Sequence, residues 1–164
     1  MFKDLGVIPY HRQRWQEFKD GALIDEWSAR YPHLFDAEDL RLARSQARLG
    51  YQYFTWFSAI FLYEATGYNS LVEKYQFKVH KRKRDVVDQV LQEPARSMVL
   101  NRKKNDGPQC PDLLMYKADL SDWFFCEVKS PTDKLQDSQR MFFEELAAAS
   151  GKPVYLLNLV EIGL

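Results

Sequence analysis

Asp112, Glu127 and Lys129 are the residues of this 164-residue sequence whose types and spacing could do chemistry. The stretch Trp123 to Val128 reads WFFCEV and is apolar on both faces of a strand until Glu127 and Lys129 close it. Charge buried at such a place is costly unless it is paired or coordinates a metal. Leu113–Tyr116 and Trp123–Val128 read as an antiparallel hairpin joined by the turn-rich residues Lys117 to Asp122. Pairing Tyr116 with Trp123 puts Asp112 opposite Glu127, with Cβ atoms about 4.5–5.5 Å apart. Carboxylates that close repel unless one is protonated or a cation sits between them. Lys129, two residues past Glu127, shares its face. Oxygen ligands so placed suit a hard divalent cation, Mg2+ or Mn2+. An ion pair of Lys129 with Glu127 or Asp112 answers the same pattern equally well.

The elements that must position these residues change character along the chain. Tyr10 to Tyr31 carries Trp15, Phe18, Leu23 and Trp27 without an internal Pro and reads as helix. Asp36, followed by Glu38 and Asp39, reads as the cap of a helix that ends near Leu49–Gly50. Tyr51 to Ala65 is apolar around most of its circumference, as a buried helix is. Asn69 or Ser70 is expected to cap a further helix through Leu71, Val72, Tyr75 and Phe77, reaching or restarting toward Val86–Leu91 before Pro94. Arg96 to Leu100 reads as a strand, and Asn101 to Gln109 as a polar loop. After the hairpin, Thr132 or Asp133 opens a helix that Gly151 ends, and Val154 to Leu159 is a buried strand.

A hydrophobic share of 46% with 28% charged residues describes a globular chain, and no apolar run approaches a membrane span. A cytoplasmic protein without membrane association is the expectation. Cys110 and Cys126 lack the spacing of a metal finger and read as buried thiols. Zero net charge argues against a uniformly basic nucleic-acid protein. Glu73 to Lys104 nevertheless holds ten Lys or Arg and four acidic residues, densest at Lys81, Arg82, Lys83 and Arg84. Such a run is either a solvated helix face or a phosphate-binding surface.

Pro111-Asp112 followed by Glu127-Val128-Lys129 resembles the signature of the PD-(D/E)xK nucleases. The continuation Glu127-Val-Lys-Ser-Pro-Thr-Asp-Lys-Leu, with Gln139 after it, resembles the corresponding stretch of the VRR-NUC family, which includes the catalytic domain of the Fanconi-associated nuclease. Pro108 to Leu159 carries the likeness. Two departures are Gln109-Cys110, where the family has Gly before Pro-Asp, and Ser130, where Gly follows E-V-K. Glu64-Ala-Thr-Gly-Tyr-Asn-Ser-Leu resembles the family segment that carries an upstream acid, with Glu73 as the second candidate.

The resemblance implies an α/β (α+β) fold: a restriction-endonuclease-like core, with a mixed central sheet flanked by helices and an added N-terminal helical layer. Residues 1–50 would form that extension and residues 51–164 the nuclease domain. It implies hydrolysis of DNA phosphodiesters with Mg2+ or Mn2+ held by Asp112, Glu127, the Val128 carbonyl and Glu64. Lys129 would act on the water or on the developing charge, and Gln139 would bond the ligands or the water, unless it is only an exposed helix residue. Lys134 and Lys81 to Arg84 are the expected phosphate contacts. The absence of a base-reading module favours recognition of flaps, nicks or junctions over a fixed site. Stand-alone members of the family can dimerise, so a homodimer stays open. A nuclease fold kept as a silent nucleic-acid- or protein-binding module is the alternative.

Overall fold

The computed structural model describes residues 2–76 and 80–163. Its strands are β1 (Phe2–His11), β2 (Asn69–Val72), β3 (Leu113–Tyr116), β4 (Trp123–Lys129) and β5 (Val154–Ile162). They form one mixed sheet in the order β1-β5-β4-β3-β2. β5 runs parallel to both β1 and β4, whereas β3 is antiparallel to β4 and to β2. One face packs against α1 (Arg12–Lys19), α2 (Ala22–Arg30), α3 (Ala37–Arg48) and α4 (Tyr53–Thr66). The other packs against α5 (Lys81–Val90), α6 (Ala95–Leu100) and α7 (Asp137–Ser150). This is the mixed α/β, restriction-endonuclease-like architecture that the sequence implied. No described helix is long and apolar enough to cross a membrane.

Each face of the sheet has its own core, and strand alternation decides which residue joins which. Leu113, Met115, Cys126 and Val128 pack with Trp56 and Ile60 on the α1–α4 side. Leu114, Tyr116, Trp123 and Phe125 pack with Val87, Phe143 and Leu146 on the other. Burial on both faces explains the unbroken apolar run of β4. The Tyr116–Trp123 pairing and the rest of the hairpin register are as read from the sequence.

Five segments differ from the sequence reading. The N-terminal layer is not helical throughout: β1 adds an edge strand along nearly the whole length of β5. The helix expected from Tyr10 to Tyr31 begins only at Arg12 and breaks at Gly21, whose φ of 85° lies in the left-handed region. Asn69–Val72 is strand rather than helix, because pairing with β3 buries Leu71 and Val72 completely or nearly so; Phe77 lies outside the described residues. Arg96–Leu100 belongs to a helix, and α7 opens at Asp137 after an irregular Ser130–Gln136 segment.

Candidate active site

Strand periodicity carries the charged residues to one place. Trp123 and Phe125 face α5–α7, so Glu127 and Lys129 face the same way at the end of β4. Leu114 and Tyr116 do the same for Asp112 in front of β3. Glu73, the residue after β2, extends the ladder by one step, its N–H donating to the Asp112 carbonyl at 2.9 Å. Glu73, Asp112 and Glu127 therefore form a row across three adjacent strand ends.

Around this row the hydrogen bonds are specific. The Val128 N–H donates to Asp112 Oδ2 at 2.9 Å, and the Asp112 N–H donates to Glu127 Oε2 at 3.2 Å. Lys129 Nζ lies 2.8 Å from Glu127 Oε1 and donates to Gln139 Oε1 at 3.2 Å. Gln139 Oε1 also accepts the Gln136 N–H at 3.1 Å at the start of α7, so its amide must present Nε2 to Glu127 Oε1, 3.2 Å away. The ammonium and the backbone N–H can only donate, which fixes this orientation.

The electrostatics leave the acids undercompensated. Burial, and then the neighbouring Glu127 carboxylate, push the Asp112 carboxyl well above its usual range. Burial also raises Glu127, against the opposing pull of Lys129, and raises Glu73. Among the described residues only Glu127 of the three has an ion-pair partner. Buried and half-buried oxygen ligands short of positive charge are the donor set a hard divalent cation requires, so the residues present fit Mg2+ or Mn2+.

Glu73 is aimed by a strained turn. It and Lys74 both adopt left-handed backbone, with φ of 47° and 52°, at a cost of order 1–3 kcal/mol each for residues with a Cβ. Lys83, fully buried, holds the turn by donating from Nζ to the Val72 carbonyl at 2.6 Å and the Glu73 carbonyl at 3.0 Å. From α3, Gln46 Nε2 donates to Glu73 Oε2 at 3.1 Å, while its Oε1 accepts the Trp56 indole N–H at 2.7 Å. Because an indole nitrogen only donates, Trp56 dictates that Gln46 offers a donor to the carboxylate.

A model of the VRR-NUC domain matches residues 62–160. The chain belongs to the VRR-NUC family. This is a nuclease-domain family of the PD-(D/E)xK superfamily, a family of nucleases that act on DNA with divalent metal. No curated protein sequence matches the chain.

Of the residues singled out in the sequence, Asp112, Glu127, Val128, Lys129 and Gln139 come together. Lys134 is exposed in the adjoining cleft of about 510 Å³, which Lys129, Thr132, Asp133, Gln136 and Gln139 also line. Glu64 does not join them. It is exposed in the last turn of α4, where its carboxylate accepts the Tyr31 hydroxyl at 2.6 Å beside Arg14, Glu26 and Arg30. The intervening strand β2 brings Glu73 to the row instead.

The four residues of the basic run do not share one surface. Lys83 is interior, and Arg82 is tied to Asp36, Asp39 and the Tyr116 hydroxyl. Lys81 pairs with Asp85 and Arg84 with Asp88, one helical turn on. Lys74 and Lys104, not singled out in the sequence, line a cleft of about 370 Å³ with Glu73, Gln109, Cys110 and Asp112. Burial raises the Cys110 thiol to about 12, which leaves it protonated there.

Asp36, Asp39 and His80 form a separate group whose ligand atoms lie within 4.8 Å of one another. His80 Nδ1 accepts the Lys83 N–H as the cap of α5, so neutral His80 carries its proton on Nε2, facing Asp36 at 3.2 Å. With Arg82 on both carboxylates, this group is already a set of ion pairs joining α3 to α5.

Proposed function

We propose that the chain is a divalent-metal-dependent DNA nuclease that selects DNA structure rather than a fixed sequence, with Asp112, Glu127 and Glu73 as the acidic ligands. The observation that carries this reading is the row of three carboxylates on adjacent strand ends, Glu127 buried and Asp112 and Glu73 half-buried, with Lys129 against Glu127. A bound Mg2+ or Mn2+ would supply an activated water and charge neutralisation at the phosphate. The protein's own residues do the rest. The Val128 amide orients Asp112, Gln139 and Lys129 orient Glu127, and Gln46 orients Glu73. The Lys129 ammonium, held by Gln139, is the fixed positive charge available to the phosphate as negative charge builds on it. Lys134, Lys74 and Lys104 on the two adjoining clefts offer backbone contacts that position DNA without reading bases.

The test is cleavage of end-labelled linear, nicked, flap and four-way-junction DNA with Mn2+ or Mg2+, beside Asp112→Ala and Lys129→Ala. Metal-dependent cutting of branched over linear DNA, lost in both variants, is the expected result. Folded, metal-binding protein that cuts none of these substrates would refute the enzymatic reading.

A further inference from the structure

The structure gathers a cationic groove from residues that no sequence run announces. Arg41, Arg44 and Arg48 of α3 line it together with Lys19 from the end of α1, Asp20, Gly21 and Ala47, around a volume of about 610 Å³. Positions i, i+3 and i+7 share one helix face and span roughly 10 Å of rise. Arg44 is paired with Asp25 at 2.8 Å in solvent. Arg41, Arg48 and Lys19 have no ion-pair partner among the described residues. The Lys19 ammonium rests 4.9 Å from the centre of the Trp15 ring, and the Asp20 carboxylate takes the Gln16 amide at 3.1 Å.

We propose that this groove is a second nucleic-acid contact, gripping the phosphate backbone of a duplex arm that flanks the cleaved strand. Arginine forks at this spacing match a surface carrying about one charge per 1.7 Å of duplex axis. The protein has zero net charge, and Lys81 and Arg84 each pair with an acid one turn along their own helix, so a local patch of unpaired cations such as this one adds to the attraction of DNA. The position is favourable too. Gln46 of the same helix reaches Glu73, while Arg44 and Arg48, each two positions away, lie on the opposite side of α3. The groove lies wholly before residue 62, outside the family match, so it belongs to this chain's own N-terminal layer.

The inference deepens the nuclease reading, and its test is arranged to fail separately. Binding of a fluorescein-labelled duplex to the full chain is measured in EDTA as salt rises from about 50 to 200 mM, for wild type, Arg41→Ala/Arg48→Ala and Lys81→Ala/Arg84→Ala. Loss of two phosphate contacts lowers the salt slope by about 1.8, so wild type loses about 12-fold more affinity over that range than the groove variant. The Lys81/Arg84 variant keeps the wild-type slope. In Mn2+-dependent cleavage the groove variant raises KM and leaves kcat within about twofold. A wild-type slope in the groove variant, or an equal change in the Lys81/Arg84 variant, overturns the proposal. If the slope falls as expected but wild type cuts no DNA, the groove stands and the nuclease reading falls. Melting curves matching wild type establish that the exposed arginines can be removed without unfolding.

Discussion

Replacing Glu73 by Gln should make the metal-free protein more stable and its metal site weaker. Glu73 and Asp112 sit opposite each other at the ends of β2 and β3, as Asp112 and Glu127 do between β3 and β4. Two unit charges about 5 Å apart repel by roughly 3 kcal/mol at an effective dielectric near 20. Water screening of these half-buried groups reduces this to about 1–2 kcal/mol. For a chain of this size that is a rise in Tm of about 2–8 °C. The substituted side chain can still accept from Gln46 through its amide oxygen, so the turn keeps its contact. Loss of a ligand carboxylate weakens Mn2+ binding by about 100-fold or more. At Mn2+ one hundred times the wild-type Kd, the ion adds about 2.7 kcal/mol to wild type and about 0.4 kcal/mol to the variant. Glu64→Gln, which weakens only an exposed bond from Tyr31, changes stability by less than about 1 kcal/mol and leaves the Mn2+ response intact. Thermal melts with and without Mn2+, with calorimetry for the Kd, measure both. The reasoning fails if Glu73→Gln melts lower without metal and keeps the full Mn2+ response, or if Glu64→Gln abolishes it.

Lys83→Met removes the donor to the Val72 and Glu73 carbonyls, each worth about 1–3 kcal/mol when stranded. The relief of no longer burying an ammonium offsets part of this, so a net loss of about 2 kcal/mol in a denaturant melt is expected, together with weaker Mn2+ binding by calorimetry. Lys129→Met takes away a competing cation but no ligand, so Mn2+ binds at least as tightly as to wild type, while cleavage falls by about 100-fold or more. The pH dependence follows from the raised acids. Asp112, Glu127 and Glu73 hold protons in the folded state at pH values where the unfolded chain has lost them. Their contribution to stability is complete below the ordinary carboxylate range and is lost as pH rises through the shifted values. Metal-free protein therefore loses about 1.4 kcal/mol per pH unit for each extra proton the native state binds in that window. Asp112→Asn/Glu127→Gln flattens this slope in urea melts, and an unchanged slope would contradict the assigned environment.

The hairpin that carries the acids was legible in the sequence because its determinants are local. An apolar run with charges at its end, a turn-rich connection and a period of two specify the pairing of Tyr116 with Trp123, and hence Asp112 beside Glu127. Gln139 was legible as a helix residue following that strand, although the α7 cap that turns its amide toward Glu127 was not. Asn69–Val72 reads as the start of a helix by its capping residues, and becomes a strand because β3 offers it an edge to pair with. That one change places Glu73, rather than Glu64, beside Asp112 and Glu127. Arg82 and Lys83 read as solvent-facing charges, since nothing in their neighbours in sequence discloses that Asp36 and Asp39 of α3 meet them across the fold. The alternating strands, the buried helix and two of the carboxylates follow from residues within a few positions of one another, and so were readable from the chain itself. Which acid completes the row, which lysine is buried to hold it and which arginines are left facing solvent emerge only on folding, because each depends on partners supplied by distant segments of the chain.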